Sequence, residues 1–78
     1  MMTIEEIRRL KHSEPFSPFN IVMKNGHVVW VGEPERIALS PTGKSIAVAE
    51  GSAFSFFVVD RIAELELNAR PRIRFKPK

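Results

Sequence analysis

Two β-rich runs, Asn20-Ile21-Val22-Met23-Lys24 and His27-Val28-Val29-Trp30-Val31, flank the dipeptide Asn25-Gly26. Asn and Gly accept the positive φ angles of a two-residue type I′ turn, whose twist matches that of the strands it joins. The segment therefore predicts a β-hairpin, the strongest local signal in the chain. Further runs follow from Arg36 to Ser40, Lys44 to Ala49, Ala53 to Val59 and Arg61 to Leu67. Pro41-Thr42-Gly43 and Glu50-Gly51-Ser52 read as turns between them. Five or six short strands predict a mainly β fold, with a small, strongly bent sheet or five-stranded antiparallel barrel.

One helix precedes the strands. Ile4, Ile7 and Leu10 recur at helical spacing between Thr3 and Lys11, and Thr3-x-x-Glu6 has the form of a capping box. Glu5 and Arg9 are spaced for an i, i+4 ion pair. So short a helix is unstable alone and must dock. Pro15 and Pro18 then forbid helix, and Phe16 and Phe19 read as anchors of this connector on the core.

Size limits what these elements can bury. At 78 residues the chain is one small domain, and such a domain buries only about 60% of the surface its unfolded chain exposes. The core is marginal without extra burial from a partner or a second copy, so small size favours self-association. The run Phe54-Ser55-Phe56-Phe57-Val58-Val59 is apolar on both faces of a strand, so either the N-terminal helix or another subunit must cover one of them. Phe54, Phe56, Phe57, Val58 and Val59 are accordingly the candidate oligomer interface, and the chain is expected to be a homo-oligomer.

The formal charge of +3 conceals a division of the chain. Residues 1–69, the helix-plus-barrel domain, carry seven basic and nine acidic residues. The remaining nine, 70–78, carry five basic residues and none acidic. Arg70, Arg72, Arg74, Lys76 and Lys78 alternate with Pro71, Ile73, Phe75 and Pro77, which in an extended chain puts the charges on one side. These residues form a candidate polyanion-binding arm, the basic groups following a phosphate backbone while Phe75 stacks on a base. The plainer alternative is a solvated tail, or an edge strand whose prolines discourage further pairing.

Catalytic signals are sparse. The chain has no cysteine, one aspartate, Asp60, and two histidines, His12 and His27, in no metal-binding or nucleophile pattern. No cofactor and no small-molecule substrate is expected, and an enzymatic site would have to be built around His27 or Asp60 by the fold. Gly43-Lys44-Ser45 echoes a phosphate-binding loop, but Ala38 stands where that loop needs glycine and the following residues read as strand. Trp30 and the three methionines read as core or interface. The polar, acidic start and the lack of a long apolar stretch lead to the expectation of a cytoplasmic protein without membrane contact.

Pro15-Phe16-Ser17-Pro18-Phe19, Asn25-Gly26, Pro34-Glu35 before Ile37-Ala38-Leu39, Gly43-Lys44 and Asp60-Arg61-Ile62 together resemble a widespread group of short uncharacterised bacterial proteins. That group has a PFxPF box, a DG-type hairpin, an HPEF-like segment and a terminal D-xx-I. The resemblance spans about residues 3 to 67 and implies no activity. His27 and Glu33 depart from it, where a basic residue and a histidine are usual. The order of elements is also similar to the Sm-like/SH3-like barrel of ring-forming bacterial RNA chaperones, which implies a ring whose intersubunit edge is the Phe54 to Val59 strand. Val59-Asp60 stands where that family has a Lys-His pair, a departure at its RNA site. The expected function is thus a non-enzymatic, oligomeric interaction or assembly module, with nucleic-acid binding through the C-terminal arm as the alternative.

Overall fold

The Asn25-Gly26 hairpin forms, but on a longer loop than the two-residue turn. In the computed structural model, which describes residues 3–67, strands β1 (Phe19–Met23) and β2 (Val28–Val31) pair antiparallel, with Phe19 opposite Val31 and Val22 opposite Val28. The Met23 N–H donates to the His27 carbonyl at 2.8 Å and the Gly26 N–H to the Met23 carbonyl at 2.9 Å, leaving a three-residue loop. Gly26 takes φ +93°, where a side chain would be strained, and Asn25 Oδ1 accepts the His27 N–H at 2.9 Å. The asparagine thus fixes the exit of the loop through its side chain.

A 3₁₀ turn at Pro34–Arg36 leads into β3 (Ile37–Leu39), followed by β4 (Ser45–Glu50) and β5 (Ala53–Val58). At the β3–β4 turn the Ser40 hydroxyl accepts the N–H groups of Lys44 and Ser45 at 3.2 and 3.1 Å. Strand rather than helix follows Gly43, so the Gly-Lys-Ser sequence is part of a hairpin and not a phosphate cradle. A second 3₁₀ turn, Val59–Arg61, carries the chain into β6 (Ile62–Leu67).

These six strands make two three-stranded antiparallel sheets, ordered β2-β1-β6 and β3-β4-β5. The fold is mainly β with one N-terminal helix, as expected, but the expectation of a five-stranded barrel is corrected to two separate sheets. The ladder is interrupted where the chain passes between sheets: Pro34 lacks a donor in the first crossing, and Val59–Arg61 coils in the second. A register shift at Val22/Met23 bends β1 where it pairs with β6.

The inward faces of both sheets share one core. Phe19, Ile21, Met23, Val29, Val31 and Ile62 come from the first sheet, and Ile37, Ile46 and Val48 from the second. Helix α1 (Ile4–Lys11) adds Ile4 and Ile7, with Leu10 partly buried beside them. Phe16 packs on this cluster with its ring 6.0 Å from that of Phe19, so both anchors of the proline-rich connector are in place.

The helix is held differently from its sequence signals. Thr3 is the N-cap residue, but its side chain makes no capping bond; the Glu6 N–H reaches the Thr3 carbonyl at 3.3 Å instead. Glu5 pairs with Arg8 at 2.6 Å, not with Arg9, on an exposed surface where such pairs add little. The specific tie is Lys11, whose Nζ donates to the carbonyls of Pro34 at 2.6 Å and Ile37 at 2.8 Å. At the other end, a Cβ on Gly43 would lie 3.1 Å from Ile4 Cγ2, so the β3–β4 turn approaches the helix closely only because it lacks a side chain there.

Removing the ammonium while keeping the aliphatic stem tests the Lys11 tie. Lys11→Met should lower unfolding free energy by about 2 kcal/mol, given the worth of charge-assisted hydrogen bonds. Urea denaturation measures it, and an unchanged midpoint would show that the tie contributes nothing.

Candidate interaction site

Strand alternation divides the residues of β5 between two environments. Phe57 turns inward, packs against the core, and its ring stacks on His27 with centroids 5.9 Å apart and planes 25° apart. Phe54, Phe56 and Val58 turn outward and are 66%, 76% and 51% exposed. Val59 lies beyond the strand and is buried in the core at 3% exposure. Of the five candidate interface residues, Val59 is therefore corrected to core and Phe57 to an inward residue, leaving Phe54, Phe56 and Val58 on the surface.

The rest of this outer face is small and uncharged. The register sets Ala47 between Ala38 and Phe56, Ala49 beside Phe54, and Ser45 beside Val58. Alanines on β3 and β4 form a low shelf, from which the β5 side chains rise along one edge. Helix α1 does not cover them; its closest sheet neighbour is β3, where Lys11 holds it. Of the two covers considered for the apolar strand, the helix is thus ruled out for this face.

The outer face of the first sheet has another character. Asn20 is opposite Trp30 on β2 and Glu66 on β6, and Val22 is opposite Val28 and Glu64. Asn20 is buried between its neighbours, and its Nδ2 donates to Glu66 Oε1 at 3.2 Å. Of the two readings of Trp30, core or interface, the first is corrected: Val29 and Val31 take the inward positions of β2, and the indole, 37% exposed, folds over Gly32. Hydropathy alternation alone did not say which set of β2 residues faces the core.

Beside β5 lies an open cleft of about 630 Å³, lined by Phe56, Phe57 and Val58 together with Lys24, Asp60 and Arg61. Asp60 lies in the middle of the 3₁₀ turn Val59–Arg61 that follows β5. His27 bonds through its backbone and stacks through its ring. The cleft therefore brings aromatic area next to charges of both signs, the arrangement of an apolar interface centre with a polar rim. The basic residues Arg70, Arg72, Arg74, Lys76 and Lys78, with Phe75, lie outside the described residues.

Among the described residues no cluster of three or more potential metal ligands occurs, and no helix is long and apolar enough to cross a membrane. Comparison with protein-family models, with curated proteins and with solved structures finds no match.

The opposite settings of two adjacent phenylalanines yield a contrast. Phe57→Ala should cost about 2 kcal/mol, less than for a fully buried ring, through lost core packing and the lost His27 stack. Phe56→Ala should change the stability of the isolated protomer by less than about 0.5 kcal/mol. Denaturant melts of both variants at low protein concentration check this, and equal losses would contradict the assigned orientations.

Proposed function

We propose that the protein is a non-enzymatic interaction module that self-associates through the outer face of its second sheet. The observation that carries this reading is the exposure of Phe54, Phe56 and Val58 on a face whose remaining ladder positions are alanine and serine. A contiguous apolar patch with no charged residue among its ladder positions favours an interaction surface. The chemistry of the face also supports binding over catalysis, because it offers apolar area and no paired acid and base. Light scattering should give a mass above that of one chain at high concentration, and Phe56→Lys should return it to the monomer. A strict monomer across the micromolar range would overturn the reading.

A second reading rests on the segregation of charge along the chain. Residues 70–78 hold five basic and no acidic groups, in alternation with apolar residues and prolines, against a slightly acidic remainder. This arm would engage a polyanion such as single-stranded nucleic acid by phosphate contacts, with Phe75 stacking on a base. Up to five contacts would make the affinity fall with roughly the 3.5 to 4.5 power of salt concentration. Titration of the full chain against one ending at Ala69 tests it; equal affinities, or no salt dependence, would remove the arm as the binding element.

A further inference from the structure

We propose that two copies join by antiparallel pairing of their β5 strands about a two-fold axis at Phe56, making one continuous sheet. This rests on the self-association proposed above and specifies its geometry.

The backbone of β5 is set up for such pairing. The Ser40 N–H donates to the Ser45 carbonyl at 3.0 Å, and the Val59 N–H to the Lys44 carbonyl at 2.9 Å. Carried along the registers of β3, β4 and β5, these two bonds fix which residues bond to which neighbour. Residues 53, 55 and 57 of β5 direct their N–H and C=O groups toward β4. Phe54, Phe56 and Val58 direct theirs away from the sheet. The residues with the most exposed side chains on this face are thus also the ones with outward main-chain groups.

The register follows from symmetry. A two-fold contact is self-complementary, so residue i opposite j requires j opposite i. With the axis at Phe56, that residue faces the partner's Phe56, and Phe54 faces the partner's Val58. All three are outward-bonding positions, but Val58 is the N-cap of the Val59–Arg61 turn and its carbonyl accepts that turn's first bond. Each copy thus supplies three donors and the acceptors of Phe54 and Phe56, and the junction gains four main-chain hydrogen bonds. On the shelf face the two Phe56 rings become cross-strand neighbours, a favourable aromatic pairing.

Other edges are less suited. On β3 the outward carbonyl of Ile37 is occupied by Lys11 Nζ. On β2 only Val28 and Trp30 are outward-bonding, because His27, Val29 and Val31 share the bonding side of the Met23 to His27 contact. On β6, Glu64 and Glu66 would approach the same carboxylates of a second copy. β5 has six residues and no charge. Its three outward side chains leave about 350 Å² exposed per copy, judged from the typical area of such side chains. That is below the ~800 Å² per partner of a standard interface, so association should be concentration-dependent in the micromolar range.

Residue-resolved amide hydrogen exchange of the full chain, at a concentration where light scattering shows dimer and at one where it shows monomer, tests the geometry. Dimer formation should slow the Phe56 and Val58 amides together by about tenfold or more. Dimers in which these amides still exchange freely would overturn edge pairing while leaving self-association standing, as expected if the shelves stacked face to face. Slow exchange independent of concentration would mean that another part of the same chain covers the edge, and would also overturn the proposal. A monomer at both concentrations would overturn both this geometry and the association it rests on. The axis has its own test: Phe56→Lys and Phe56→Glu should each be monomeric alone and form a heterodimer when mixed. No heterodimer from a chain whose wild type dimerises would displace the axis from residue 56.

Discussion

A single apolar core serves two sheets and a helix, and this economy governs the rest of the molecule. Ile21 and Val29 on one sheet, Ile46 and Val48 on the other, and Ile7 on the helix are all essentially inaccessible to water. With one core between them, each sheet can bury only its inner face in this way. The fate of each outer face then depends on local composition. Glu64 and Glu66 make the first sheet's outer side compatible with solvent, whereas the second sheet's outer side has neither charge nor cover.

The helix adds more than apolar area to this arrangement. Ile4 and Ile7 fill the core, and Lys11 spans from the helix end to the carbonyls where the first crossing enters β3. An ammonium on a flexible stem can satisfy two carbonyls in an irregular turn that no strand could reach. The same contact orders the helix, the 3₁₀ turn and the start of the second sheet relative to one another.

Local chemistry made much of the fold legible in the sequence. Asn25-Gly26, the Ile4-Ile7-Leu10 spacing and the turns around Gly43 and Gly51 identified the helix and the hairpins, because each signal acts within a few residues. What escaped was decided at longer range. Whether strands close into a barrel depends on crossings at Pro34–Arg36 and Val59–Arg61, whose coiling is not dictated by strand propensity. Trp30 and Val29 suit a strand equally well, and only packing against the other sheet places one inside and the other outside. Lys11 resembles any helix-end lysine until β3 is brought beside it. At the candidate site, the two-faced apolar pattern of β5 was visible, but its division into an exposed Phe54, Phe56 and Val58 and an inward Phe57 required the register with β4.

The Lys11 contact also bears on the size an assembly can reach. A sheet with two open edges is a divalent unit and can add copies at either side without limit, the route to fibres. If copies join through β5 as proposed, Lys11 at the Ile37 carbonyl would hinder a second junction at the opposite margin of that sheet. Growth through this sheet would then favour ending with the first partner. One lysine on a short helix would thus bias a finite complex over an open polymer.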